Sequence, residues 1–291
     1  MRLHHLLCLL ALPLLAACHG NEALQVGGST PEAAVRGSIA LLQAGDFKGL
    51  WKHNLPASDY ATLRVDWRRN HTDMPPISAA DRARFNLVVH ELTAPNAERS
   101  LDAILAPQLD HLDQRYHDQL PVMIKVGGAV LKNGLEQTPR LDAGQKAEAA
   151  SLIDALTPWA ARAPWFDQAS AQRAIRVLVA TARKLDLSSP EALRDANFDA
   201  TMARLNVGYR GIKRMLAVYG LPLDAALDSA RVSVVSNDGT HAVVKVDYRL
   251  LDQPLSTQTQ LVREHGRWYS ATLLAAARHA PPPVAVANAP F

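Results

Sequence analysis

The chain has 291 residues, 31 of them Lys or Arg and 28 Asp or Glu, for a formal charge of +3, and 48% of them are hydrophobic. A balance this close to neutrality makes no case for nucleic acid as a partner, and the length is enough to bury a sizeable core without staples. Two cysteines are present, Cys8 and Cys18, both near the N-terminus, which excludes a disulfide framework or a Cys-based metal cluster in the body.

Residues Leu6–Ala17 are all apolar, with Pro13 among them. The run is shorter than the about 20 residues that a transmembrane helix needs. With Arg2 before it and small residues at its end, it has the zones of a secretory signal. Its close, Leu15-Ala16-Ala17-Cys18, resembles the lipobox of bacterial lipoproteins. In that family the cysteine thiol takes a diacylglycerol, the peptide is cut just before it, and the new amine is acylated. The resemblance therefore implies that residues 1–17 are a signal peptide, that Cys18 is the lipidation site and that 18–29 is a lipidated tether ending in Gly27-Gly28. Two or three acyl chains anchor stably where one is marginal. An aspartate after the cysteine tends to hold Gram-negative members in the inner membrane. His19 in that place implies the periplasmic face of the outer membrane.

Thr30-Pro31-Glu32 reads as a helix start, with Thr30 as N-cap. Val35, Ile39 and Leu42 then share one face, and Gly45 stops the helix. Asp46 caps a short second helix with Phe47, Leu50 and Trp51, and Met74-Pro75-Pro76 marks a break. From there to residue 227 the pattern is almost wholly helical. Leu105, Leu109, Leu112 and Tyr116 form one stripe, and Ile175, Leu178, Ala182 and Leu185 form another. Pro121 opens a helix that Lys132-Asn133-Gly134 is expected to end with a left-handed glycine. Ser189-Pro190-Glu191 is a further start. The longest stripe is Phe198, Met202, Leu205, Tyr209, Ile212, Leu216 and Tyr219, and its spacing predicts a buried helix face.

Near Ala230 the period changes to two. Val232 and Val234 lead to Ser236-Asn237-Asp238-Gly239, a hairpin turn, after which Val244, Val246, Tyr248 and Leu250 alternate with polar residues. Further strands are expected at 257–263 and 268–273, with a turn at His265-Gly266. The proline-rich residues 278–291 predict an unpacked tail. The fold class is α+β: one domain over 30–277, helical over 30–227, with a C-terminal antiparallel sheet of about four strands over 230–274. The sheet and the first helix each have an apolar side needing cover, so they should pack together. A ligand cleft is expected where the middle helices meet the sheet.

The two ends of the mature chain resemble bacterial lipoproteins of the nuclear-transport-factor-two-like (cystatin-like cone) superfamily. The likeness rests on Thr30-Pro31-Glu32, Ala44-Gly45-Asp46-Phe47 and the ending Leu261-Val262-Arg263-Glu264-His265-Gly266-Arg267-Trp268-Tyr269. It implies a cone-like fold carrying a large helical insertion. That superfamily holds enzymes and non-enzymes alike, so it chooses no function.

Chemistry-bearing motifs are sparse. Asp110, Asp113 and His117 fall along one helix face, but no second donor cluster accompanies them. His90-Glu91 has Ala94 where a zinc-protease helix needs its second histidine. Gly127-Gly128 lacks the lysine and hydroxyl of a phosphate loop, and close helix packing explains it better. Two surface candidates for binding remain. One is the basic-aromatic cluster Arg64, Arg68 and Arg69 around Trp67, suited to anionic headgroups or cell-wall polymers or else simply a solvated face. The other is the group Trp159, Trp165 and Phe166, expected in a loop between Pro158 and Pro164 as a partner anchor or a satellite core. The expectation is a non-catalytic, membrane-anchored binding or scaffold lipoprotein, with no cofactor and no metal. Its partners would be the membrane, through the N-terminal lipid, and an envelope protein or cell-wall polymer. The alternatives are an envelope hydrolase with a dispersed site and an inhibitor or immunity protein against a cell-wall-degrading toxin.

Overall fold

The computed structural model describes residues 26–69, 76–139 and 141–279. The expected signal peptide, Cys18, the break at Met74-Pro75 and the residues beyond 279 lie outside the described residues. The chain is α+β, with a helix-rich body and a four-stranded antiparallel sheet at its C-terminal end. Among the described residues no helix is long and apolar enough to cross a membrane.

The first helices begin where capping chemistry places them. Thr30, in extended conformation, accepts the N–H of Ala33 on its hydroxyl at 3.2 Å and opens α1 (Pro31–Ala44). Gly45 closes α1 at φ +63°, and Asp46 starts α2 (Phe47–Asn54) by accepting the N–H of Gly49 at 2.9 Å. Then come α3 (Ala57–Arg69), α4 (Ala79–Thr93), α5 (Ala97–Tyr116), α6 (Leu120–Glu136), α7 (Ala143–Ala160) and α8 (Gln168–Leu185). Short α9 (Pro190–Arg194) is capped by Ser189 as expected, and α10 (Phe198–Val218) and α11 (Leu223–Asp228) complete the helical body.

The sheet is a meander in the order β1 (Arg231–Asn237), β2 (His241–Leu250), β3 (Gln253–Glu264) and β4 (Arg267–Ser270). Its three turns use left-handed residues: Gly239, the pair Leu251-Asp252, and His265-Gly266. The first is tightened by Asp238, which accepts the N–H groups of Thr240 and His241 and the Thr240 hydroxyl; these bonds hold its carboxyl well below the usual range. α1 packs on the sheet as expected, through Val35 and Ile39 of its predicted face, although Leu42 is outside that core and Leu41 is buried instead. Ala34 and Val35 join Ala242, Val244, Val246, Leu261 and Trp268 in one core, with Ile39 against it. A second core gathers Leu55, Leu63, Phe198 and Met202. A third, of Ala155, Leu221, Ala226, Leu250 and Leu255, seats α7 and α11 against the sheet. A fourth joins Ala97 of α5 to Ile175 and Val179 of α8.

Several sequence expectations need correction. The stretch Lys132-Asn133-Gly134 does not end α6, which runs on to Glu136 without a left-handed glycine there. Lys146 caps the Glu136 carbonyl at 2.7 Å, and the Lys132–Asp154 pair at 2.8 Å holds that end on α7. The last strand stops at Ser270, and α12 (Ala271–His279) follows, its alanine-rich sequence favouring helix. Leu274 of α12 enters the second core, and α12 extends past the point where the tail was expected to begin. Gly27 and Gly28 are not the loose end of a tether. Both are buried, and Gly28 forms a two-bond antiparallel bridge with Trp268 at 2.9 Å each way. The α10 stripe is buried only at its start, since Leu205 is 46% and Ile212 58% exposed. Leu178 and Leu112 are likewise exposed, and the buried residues of α8 are Ser170, Ala171, Ala174, Ile175, Val179 and Ala182.

Candidate binding cleft

A cleft of about 870 Å³ opens between the N-terminal half of α7, the end of α11 and strands β1 to β3. A capping box of Asp142 and Gln145 fixes the start of α7, which brings Glu148 and Ser151 to the cleft wall. Glu148 is half-buried and accepts the Thr257 hydroxyl at 2.8 Å and the Gln258 N–H at 2.9 Å. That carboxylate pins the helix to β3. On the opposite wall Asp228 is bonded to Gln43 of α1. Ser229 accepts the Arg249 N–H at 2.8 Å, which ties the end of α11 to β2.

The charges facing this cleft are mixed. Asp247 is paired with Lys245 at 2.8 Å, and the Arg249 guanidinium donates to the Asp252 carbonyl at 2.8 Å. Arg231 is exposed at the rim. Tyr248 is half-buried, and burial, with the Glu148 charge adding to it, raises its phenol above the ordinary tyrosine value. The hydroxyls of Ser151 and Ser256, the Arg231 guanidinium and the Tyr248 ring are the groups that a ligand would meet. The lining contains no histidine or cysteine. Such a surface can hold a polar ligand by hydrogen bonds and ring contact, and its size falls in the ordinary range of ligand sites.

The residues singled out from sequence lie elsewhere. Trp159 is in the last turn of α7, not in a loop, because the helix continues through Pro158. Its indole donates to the Tyr219 carbonyl at 2.8 Å, and the Trp165 indole donates to the Ala160 carbonyl at 2.6 Å. The two rings meet edge to face at 5.5 Å, and Trp165 stacks on Tyr219 at 5.0 Å. Trp159 also packs on the third core, and burial raises the Tyr219 phenol above its ordinary value. Phe166 is half-buried just beyond Trp165. These rings join the end of α7 to the end of α10, so their polar atoms point into the body.

Arg64 and Trp67 sit on α3. Arg64 pairs with Asp199 at 2.6 Å, and Lys48 reaches the same carboxylate at 3.1 Å. These cations, Lys48 foremost, hold the Asp199 carboxyl below its ordinary range. Trp67 meets Phe198 edge to face at 5.3 Å. Arg68 and Arg69 end the helix, and their side chains lie outside the described residues. The structure thus gives Arg64 an internal anion and turns Trp67 towards the second core.

The remaining motifs are separated too. His117 bonds Asp113 at 2.8 Å, which raises the imidazole's proton affinity, while Asp110 accepts from Gln168 at 2.7 Å. Among the described residues no group of three or more metal donors converges. Of the glycine pair only Gly128 is packed, where a Cβ would lie 2.7 Å from the Thr157 hydroxyl. The cleft lies where the middle helices meet the sheet, as expected, but its lining residues left little trace in the sequence. The polar residues of β2 read as one solvated side, and a second covering element was the missing fact. Comparisons of this chain with protein-family models, with curated proteins and with solved structures give no match.

Proposed function

We propose that this protein is an exported lipoprotein, anchored through Cys18 to the periplasmic face of the outer membrane, that works by binding. The observation that carries the reading is the short apolar run closed by Leu15-Ala16-Ala17-Cys18, too short to span and ending at an acylatable thiol. The binding place in this reading is the polar cleft between α7 and the sheet. Its exposed hydroxyls and guanidinium and the half-buried Tyr248 ring suit a cell-wall polymer or a polar surface of an envelope protein. The cone-like kinship of the chain ends belongs to the same proposal, supported by the seating of α1 on the sheet.

Intact-mass measurement of the membrane-extracted chain tests the anchor. The expected mass is that of residues 18–291 with acyl groups on Cys18, and an unmodified Cys18 or a different N-terminus refutes it. Affinity capture of the lipidated chain from its native envelope tests the cleft, with Arg231→Glu and Ser256→Trp as the comparison. Both positions are exposed. Captured material that is unchanged by these substitutions moves the binding place away from the cleft.

A further inference from the structure

The most exposed apolar surface on the described chain is one side of α6. Val122 is 60% exposed, Met123 55%, Val126 58%, Val130 63% and Leu131 64%. At 100° per residue these five fall on one half of the helix, together with Gly127 and Gly134, at which a Cβ would meet nothing. The other half, with Gly128 and Lys132, lies along α7. A helix this apolar is ordinarily covered on all sides. From Leu120 to Leu135 it carries no carboxylate, and its charges are Lys125 and Lys132.

We infer that this face of α6 rests on the lipid surface of the membrane that carries the Cys18 anchor. The inference depends on that proposed anchor. Eight residue steps separate Cys18 from Val26, the first described residue, and by covalent geometry they reach no further than about 29 Å. That is less than the width of a domain of this size, so the anchored body stays against the bilayer. Five side chains on one helix fall well short of the roughly 20–30 residues per side that a stable protein interface uses. A surface already held at high local concentration needs no such area. The absence of carboxylates from Leu120 to Leu135 and the exposed Lys125 match anionic headgroups, and apolar side chains at this depth enter the boundary between headgroups and acyl chains.

The test places a fluorophore at Val126→Cys in the full-length, lipidated protein, reconstituted in vesicles of phosphatidylethanolamine and phosphatidylglycerol that carry a spin-labelled quencher lipid. The expected result is severalfold stronger quenching than in quencher-free vesicles, lost when Val122→Asp and Val130→Asp are added while the chain stays vesicle-bound. Both aspartates replace exposed residues, and an unchanged circular dichroism spectrum checks the fold. A vesicle-bound chain whose label is unquenched overturns the inference and leaves the anchor standing. Quenching that survives the aspartates overturns it too, since it reports proximity without insertion. Oxidative dimerisation of the unlabelled Val126→Cys chain on vesicles assigns the face to a second copy and likewise overturns it. Failure of the chain to be recovered with vesicles overturns the anchor and the inference together.

Discussion

Two halves of one helix, α10, meet different fates. Its first turns bury Phe198 and Met202 against Leu55, Leu63 and Leu274, with Tyr60 and Trp67 edge-on to the Phe198 ring at 5.7 and 5.3 Å. Two turns on, Leu205 and Ile212 keep the same heptad-like spacing, yet they line an open groove of about 540 Å³ with Leu185, Leu193 and Tyr209. The buried positions of the second half are Gly211 and Lys213 instead. Lys213 reaches the Gln43 carbonyl at 2.8 Å and the Asp224 carboxylate. Periodicity therefore identifies which residues share a face. It does not say whether another element reaches that face along its whole length.

This contrast can be broken or sharpened by substitution. The largest effect is expected from Phe198→Ala, which should cost about 3–5 kcal/mol in a denaturant titration through lost transfer energy and a cavity. A loss under about 1 kcal/mol would place the first half of α10 with the second. Gly211→Ala comes next. Its Cβ would lie 2.6 Å from the Thr181 side chain, so overpacking of about 1–3 kcal/mol should outweigh the better helix propensity of alanine. Adding Thr181→Ala should restore most of the loss, and non-recovery would mean that α8 and α10 are not held by this contact. Leu205→Ala should cost only about 1 kcal/mol, since roughly half of that side chain is already in water.

Smaller effects distinguish the halves further. Gly208→Ala should stabilise by about 0.5–1 kcal/mol, because a Cβ there meets nothing within 4 Å. A destabilised Gly208→Ala would show that something approaches the groove. The smallest effect concerns Asp199 in the first turn, whose folded carboxyl is more acidic than an unfolded one because Lys48 and Arg64 favour its charge. A depressed folded value stabilises above the unfolded aspartate range and loses that contribution as pH falls through the folded value. Stability between neutral pH and acid should therefore decline slightly less for Asp199→Asn than for the parent. Identical pH profiles would show that the pair contributes nothing measurable, as exposed pairs often do.

Legibility followed local chemistry. Thr30, Asp46 and Ser189 act as caps because each signal needs only its own three neighbours, and Asp238-Gly239 turns the hairpin for the same reason. The α1–sheet pairing was legible because Val35 and Ile39 on α1 and Val244 and Val246 on β2 each mark an apolar face that must be covered. The end of β4 was not. Residues 268–273 fit a strand pattern, and the alanine-rich run, the Ser270 hydroxyl accepting the Leu273 N–H at 3.3 Å, the docking of Leu274 and the Arg278 fork on Asp59 and Glu264 together select the helix after Ser270. Pro158 misled in the same way, since proline in a last turn removes one bond while the packing of Trp159 on the third core and its bond to Tyr219 hold the turn. A cleft between the middle helices and the sheet was expected, but its lining was illegible because the groups come from five separate elements, α7, α11 and β1 to β3, and become neighbours only on folding.

The bridge between Gly28 and Trp268 has a mechanical side. Gly27 donates to the His53 carbonyl at 2.8 Å, and the Arg267 guanidinium donates to the carbonyls of Val26 at 3.1 Å and Gly27 at 2.8 Å. Gly28 is seated so closely on α1 that a Cβ would lie 2.2 Å from the Ala34 nitrogen. Tension arriving from the N-terminal side thus meets no swivel at the glycine pair. It passes within two residues into the edge strand and, through Trp268, into the core beneath α1, so the molecule takes up a tug as a clamped beam does, by loading its sheet, and not as a bead swinging on a thread.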